Sequence, residues 1–212
     1  MAREREEKLL AAREDVELPY PQYLCPVDGR ELPLAEARMS VTCAEHEPRG
    51  QGIEFAVREA RAADRRGIEQ ICDRAWGETE IDVFGRTFDV LASDNIVAIS
   101  GKGLAGLIAL QVHQGELAIV MYSVYPQFQG RGIGSALLEA ATDIARSKSL
   151  PAIKSAVSND DLPLLYFYQR HGFSIAEVAT GLLADKLGYA GVGFAGIPIR
   201  DEVRLRRPIC SQ

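Results

Sequence analysis

VYPQFQGRGIGSALLEAA, residues 124–141, is the stretch on which the fold turns. An apolar run ending at Tyr125 meets Pro126, passes through Gly130, Gly132 and Gly134, and enters a pattern with apolar residues at helical spacing, Leu137, Leu138 and Ala141. A strand leading through a glycine turn into a helix is anion-binding architecture. The first N–H groups of a helix have no internal partner and lie at the positive end of its dipole, and glycines let a ligand approach the backbone. The spacing excludes two common phosphate motifs. No G-x-x-x-x-G-K-[ST] string exists, and the glycines do not complete G-x-G-x-x-G: Gly130 and Gly132 are followed by Ser135, Gly132 and Gly134 by Leu137. What remains is Q-x-x-G-x-G, formed by Gln129, Gly132 and Gly134, with Arg131 inside it.

Outward from this turn, strand and helix patterns alternate. Upstream, IEFAVREAR (53–61) reads as a strand, and ADRRGIEQICDRAWG (63–77) as an amphipathic helix with Ile68, Ile71, Cys72 and Ala75 on its apolar face. FGRTFDVLA (84–92) reads as a second short helix. NIVAIS (95–100), LAGLIALQVH (104–113) and ELAIVMYSVY (116–125) are apolar runs joined by loops so short that they favour antiparallel hairpins. Downstream come a long helix within 130–149, a strand at 151–158, a helix at 162–172 closed by Gly172, and a strand at 173–180. A glycine-rich excursion (181–200) with at most one helical turn leads to a closing strand at 202–209. The class is α+β, a mixed sheet flanked by helices, over residues 51–212.

The strand ending x-V-x-P followed by Q-x-x-G-x-G resembles the GNAT superfamily of acetyl-CoA-dependent acyltransferases. The resemblance implies a central, mostly antiparallel, splayed sheet and acetyl-CoA as cosubstrate. It also implies coenzyme contacts at Val124, through its main chain, and at Gln129, Gly130, Arg131, Gly132, Gly134 and Ser135. A second segment, SNDDLPLLYFYQRHGF (158–173), resembles the family pattern N-x-x-A-x-x-x-Y-x-[KR]-x-G-F, with Tyr168, Arg170, Gly172 and Phe173 in register. On the residues alone, Tyr166, Phe167 and Tyr168 read as core aromatics at a helix end. The resemblance instead makes Tyr168 the acid that protonates the departing thiolate, a step that a phenol of pKa about 10 can perform. The family asparagine is Asp161 here, which reads as a helix cap, and Asn159, two positions earlier, becomes the candidate coenzyme contact.

The implied reaction is direct transfer of an acetyl group to a primary amine of a small molecule or a peptide. The amine must lose a proton to attack, but ELAIVMYSVY has an acid only at its start, Glu116. Glu116 and His113 flank a hairpin and are weak candidates for the base. That gap keeps a second reading open, a non-catalytic acyl-CoA sensor or interaction module. The acidic stretch WGETEIDVFG (76–85) would suit a cationic acceptor, and equally reads as a solvated loop.

The chain has 212 residues with 24 Lys+Arg against 30 Asp+Glu, a net charge of -6 that argues against nucleic acid as partner. No apolar run is long enough to cross a bilayer and the charged start has no leader pattern, so the expected compartment is the cytoplasm, with no membrane partner. Residues 1–50 form a distinct charged extension, read as a helix over the first seventeen residues and then a small Cys/His segment. Cys25, Asp28, Cys43 and His46 have the spacing of two metal knuckles and resemble a zinc ribbon with Asp in place of one cysteine. Structural zinc, free thiols and a Cys25–Cys43 redox pair all stay open, as does a recruitment protein carrying a degenerate transferase domain. Cys72 reads as core and Cys210 as incidental; a monomer and a dimer are both compatible with the sequence.

Overall fold

The computed structural model describes residues 53–209 other than 102, 189 and 190. The charged helix of the extension, the ligand set Cys25, Asp28, Cys43 and His46, and Cys210 lie outside the described residues. The chain runs through β1 (Ala56–Glu59), α1 (Arg65–Trp76), β2 (Glu80–Val83), β3 (Arg86–Asp89), β4 (Asp94–Ser100), β5 (Gly103–His113) and β6 (Glu116–Val124). It continues through α2 (Ile133–Ser147), β7 (Ala152–Ser158), α3 (Leu162–Arg170), β8 (Ser174–Ala179), α4 (Leu182–Leu187), β9 (Gly191–Val192), β10 (Pro198–Ile199) and β11 (Glu202–Pro208).

Seven strands form one sheet in the order β1-β4-β5-β6-β7-β11-β8. Every pairing in it is antiparallel except β6 with β7; the short loops led us to expect the β4–β5–β6 hairpins, and the family resemblance implied a mostly antiparallel sheet. Both faces are covered, which explains why β4, β5 and β6 read as nearly continuous apolar runs rather than alternating ones. On one face Leu110, Leu117 and Ile153 pack with Ile133 and Leu137 of α2 and Tyr168 of α3. On the other, Val97, Leu107 and Met121 pack with Ile68, Ile71 and Cys72 of α1. Cys72 is fully buried with its Sγ 3.5 Å from Met121 Sδ, and burial pushes its thiol up to about 11, a core residue as expected.

The region after α1 departs from the expected short helix at 84–92. β2 and β3 form a separate hairpin, with Val83 opposite Arg86, and only Val90–Ala92 turn as a 3-10 helix. The two loop residues, Phe84 (φ 57°) and Gly85 (φ 70°), both have positive φ, the geometry that matches strand twist in two-residue hairpins. A phenylalanine is an uncommon occupant of that conformation, so the turn signal was weak. The alternation was present, since Ile81, Val83 and Phe88 point into the α1-side core while Asp82 and Thr87 face outward.

The pairing of β5 with β6 shifts at Ala109–Met121 and Leu110–Ile119, so Val120 is an extra residue. A bulge of this kind bends its strand and adds twist. Next to it, β6 pairs with β7 only through Leu117–Ile153 and Ala118–Lys154. Beyond that point the two strands diverge, while β7 stays paired to β11 as far as Ser158–Glu202. The sheet is therefore open between Ile119–Val124 and Ser155–Ser158.

Entry into α1 is fixed by Asp64. Its carboxylate accepts from Arg58 Nη1 (2.6 Å) and Nη2 (3.0 Å) and from the Arg61 N–H (2.7 Å), tying β1 to the first turn. The Arg58 hydrogen bond, opposed by burial, lowers its pKa from 3.8 to about 2. A depressed carboxyl pKa contributes stability above the unfolded value and loses it as pH falls through the folded one. Asp64→Asn is therefore expected to cost about 1–2 kcal/mol in urea unfolding at pH 7. The difference from the wild type should shrink between about pH 4 and pH 2; a difference that persists unchanged at pH 2 would rule out the ion pair as its source. At the hairpin turn, Gly85→Ala should cost about 1 kcal/mol in the same assay through its positive φ alone, because no atom crowds the position.

Candidate coenzyme and acyl-transfer site

The open end of the sheet is bounded by the glycine turn. The Tyr125 N–H donates to Ala105 O (3.0 Å) and closes the end of β6, and a 3-10 turn at Pro126–Phe128 leads to Gln129. Gly130 (φ 69°) and Gly132 (φ 82°) are left-handed, which reverses the chain so that α2 starts directly above the opening. The first α2 hydrogen bond runs from the Ala136 N–H to Gly132 O (3.0 Å). The N–H groups of Ile133, Gly134 and Ser135 precede it and are the free donors of a helix N-terminus. No side chain caps that end, and Arg131 and Ser135 are exposed beside it. The Gln129 side chain turns back, Nε2 donating to Val124 O (3.0 Å), and braces the loop against the last residue of β6.

Gly134 has a second reason to be glycine. A Cβ there would overlap Tyr122 Oη, a close approach that brings the phenol directly beneath the helix start. Tyr122 stacks on Phe167 (centroids 5.3 Å) and lies 6.0 Å from the Tyr168 ring; Phe167 and Phe173 pack on Tyr168 in turn. This aromatic layer joins α3 to β6 across the gap in the sheet. Tyr168 is 1% exposed. Burial pushes its phenol pKa up and Ser155, the first β7 residue beyond the last β6 pairing, moderates the shift. Tyr168 thus sits at the point where the two strands part, and it stays protonated throughout the physiological range. The Tyr122 phenol is likewise raised by burial, with a further contribution from Tyr168.

The structure brings Val124, Gln129, Gly130, Arg131, Gly132, Gly134 and Ser135 together with Tyr168 at this one opening. Asn159 is differently engaged. Its Oδ1 accepts from the Arg200 (2.8 Å) and Asp201 (3.0 Å) N–H groups and its Nδ2 donates to Pro198 O (2.9 Å), so its amide fastens the segment before β11. Asp161 caps α3, Oδ1 accepting from the Leu164 N–H (3.0 Å), and burial raises its pKa. Glu116 and His113 stand at the opposite end of β6, a separation of roughly 25 Å at strand rise. Glu116 accepts from Arg206 Nε (2.8 Å), and His113, packed on Phe88, is pushed down by burial and by Lys154 and Arg86.

Two carboxylates that the sequence did not single out lie near the end of β7. Asp160, just beyond β7, is 8% exposed; Oδ2 accepts from the Phe194 N–H (3.0 Å), and Oδ1 is buried without a hydrogen-bond partner. Glu202, 4% exposed at the start of β11, accepts from Arg204 Nε (2.7 Å) and from the Phe84 N–H (3.3 Å) of the hairpin turn. Asp82 of the same hairpin pairs with Lys186 of α4. The hairpin, α4 and the segment before β11 are thereby linked to the face opposite α2. The residues responsible are separated by up to 118 positions, so no local motif could have announced them. A cavity of about 600 Å³ lies elsewhere, between Arg61, Asn95 and Lys148 at the far end of α2. Among the described residues no group of His, Cys, Asp and Glu is placed to hold a metal ion, and no helix is long and apolar enough to cross a membrane.

Known proteins share this architecture. The chain is 30% identical over 134 residues to a streptothricin acetyltransferase of Streptomyces lavendulae, covering 62% of this chain and 69% of that protein. An IAA acetyltransferase from Bacillus cereus superposes with a TM-score of 0.58 at 19% identity, over 73% of this chain and 99% of its own. A GNAT family acetyltransferase from Elizabethkingia anophelis, with acetyl-CoA bound, superposes with a TM-score of 0.57 at 18% identity, over 73% and 97%. The family described as Acetyltransferase (GNAT) matches residues 56–173, from β1 to the end of the α3 motif, and the chain belongs to that family.

Proposed function

We infer that the protein transfers an acetyl group from acetyl-CoA directly to a primary amine. The observation that carries this reading is the geometry of one opening, with unpaired strand edges as its walls, the free N–H groups of α2 at its rim and Tyr168 at its apex. An extended pantetheine arm, which carries amide groups, would pair with the unpartnered edge of Ile119–Val124 as an added strand does. The diphosphate would lie on Gly132–Ser135, with Arg131 beside it. The thioester would then reach the apex. The residues present fit this ligand: the rim donates, the walls offer backbone, and no side-chain cap competes for the helix start.

In the transfer step the amine nitrogen forms a bond to the thioester carbonyl carbon and the C–S bond breaks. The thiolate takes the proton of the Tyr168 phenol, which burial keeps protonated. The nitrogen, cationic after attack, gives up the proton that restores the phenol, so that the products are the amide and the free thiol. The ammonium form of the acceptor must first lose a proton. β6 has no carboxylate at this level, and Asp160 and Glu202, near the end of β7, are buried and engaged by the Phe194 N–H, by Arg204 and by the Phe84 N–H. The streptothricin acetyltransferase relative is named for a substrate of its own, and we take from it only that a small amine-bearing acceptor is compatible with this sequence. A cationic acceptor suits the carboxylates on this face.

The test is release of free thiol from acetyl-CoA in the presence of polyamines, amino acids, aminoglycosides and peptides. Turnover that depends on one acceptor class is expected; tight coenzyme binding with no acceptor would favour the sensor reading. Tyr168→Phe should lower kcat about a hundredfold with acetyl-CoA affinity unchanged within about twofold, and unchanged turnover would remove Tyr168 from the chemistry. Gly134→Ala should weaken coenzyme binding about tenfold through its overlap with Tyr122 Oη. Tyr122→Phe in the same chain should restore most of the affinity in isothermal titration.

A further inference from the structure

Ser135 in the first turn of α2 and His171 at the end of α3 meet beside the glycine turn. Ser135 Oγ lies 3.0 Å from His171 Nε2, and His171 Nδ1 lies 2.8 Å from Phe167 O. A carbonyl oxygen only accepts, so Nδ1 carries a proton. In the neutral ring Nε2 then holds a lone pair, and the Ser135 hydroxyl must donate its single proton to it. Diphosphate oxygens also only accept. While His171 is neutral, therefore, the Ser135 side chain has no proton to offer an anion lying on the helix start. When His171 takes up a proton from solvent, Nε2 becomes a donor to Ser135 Oγ. The hydroxyl proton is released toward the ligand, and a positive charge stands one hydrogen bond behind it.

We propose that His171 is a positioning residue of the coenzyme site that, by gaining a proton, converts Ser135 into a hydrogen-bond donor for the diphosphate. The inference rests on the coenzyme reading of the glycine turn given above. The ring is held for this role, because the Phe167 carbonyl accepts from both Nδ1 and the His171 N–H (3.1 Å), and the Phe167 ring packs on the imidazole (centroids 4.2 Å).

The charged groups around it leave the relay intact. On α3, Arg170 is turned away to Tyr166 Oη (3.0 Å). From β11, Arg207 donates to His171 O (3.0 Å) and to Thr142 of α2, and Arg146 of α2 repels that guanidinium. Arg131 stands in the turn itself. Among the described residues no carboxylate is hydrogen-bonded or ion-paired to the imidazole.

The test is the affinity of the full chain for dephospho-CoA by isothermal titration between pH 5.5 and 8. This ligand keeps the diphosphate but lacks the terminal phosphate, which would itself titrate in that range. Wild-type Kd should rise about tenfold from pH 5.5 to 8, the size of one charge-assisted hydrogen bond. In His171→Gln it should stay constant within about twofold, and in Ser135→Ala the rise should fall below about threefold, leaving only the effect of the ring charge. A constant wild-type Kd, or a His171→Gln profile matching the wild type, overturns the proposal. A full tenfold rise in Ser135→Ala overturns the relay in favour of charge alone. Absence of binding by the wild type at every pH overturns the coenzyme reading beneath it.

Discussion

Two residue pairs, Leu117–Ile153 and Ala118–Lys154, are all that join β6 to β7, and the rest of the site follows from their being so few. Backbone N–H and C=O groups need partners, and a strand edge inside a sheet normally finds them in its neighbour. Here the Val120 bulge bends β6 beside the last pair, while β11 holds β7 in line. The edge of β6 from Ile119 to Val124 is left facing a gap instead of a strand. α3 crosses that gap and places a fully buried tyrosine at its apex. The sheet is thus held together on one side of the gap by β-pairing and on the other by the aromatic contacts among Tyr122, Phe167 and Tyr168.

The same aromatic layer governs the glycine turn. Gly130 and Gly132 supply left-handed backbone, whereas Gly134, inside the helix, is required by the proximity of the Tyr122 hydroxyl. The glycines therefore serve two different physical needs although they form one motif. That contact sets how closely the helix start approaches the phenol.

Opposite α2 lie contacts mostly outside the two sequence motifs. The β2–β3 hairpin stands where a short helix was expected, Glu202 and Asp82 bind it to β11 and α4, and Asn159 and Asp160 fasten the segment that leads into β11. These are charge-assisted or backbone-directed bonds between distant parts of the chain. They hold the hairpin, α4 and the segment before β11 together on that face.

The spacing of Gln129, Gly132 and Gly134 after a proline-terminated strand was legible without coordinates. So were the apolar runs of β4 to β6 and the register of Tyr168 with Gly172 and Phe173. Each is local: a turn, a period or a fixed separation along the chain determines it. Asp161 as a cap and Cys72 as a core residue belong to the same group. The tertiary structure alone decided the hairpin turn at Phe84–Gly85, where a positive φ is carried by an unusual residue. It also decided the close approach of Tyr122 to Gly134, the pairing of Ser135 with His171, and the burial of Asp160 and Glu202 near the end of β7. Those relations join residues far apart in the chain, brought together only when strands pair and helices pack, and sequence periodicity carries no information about such distances.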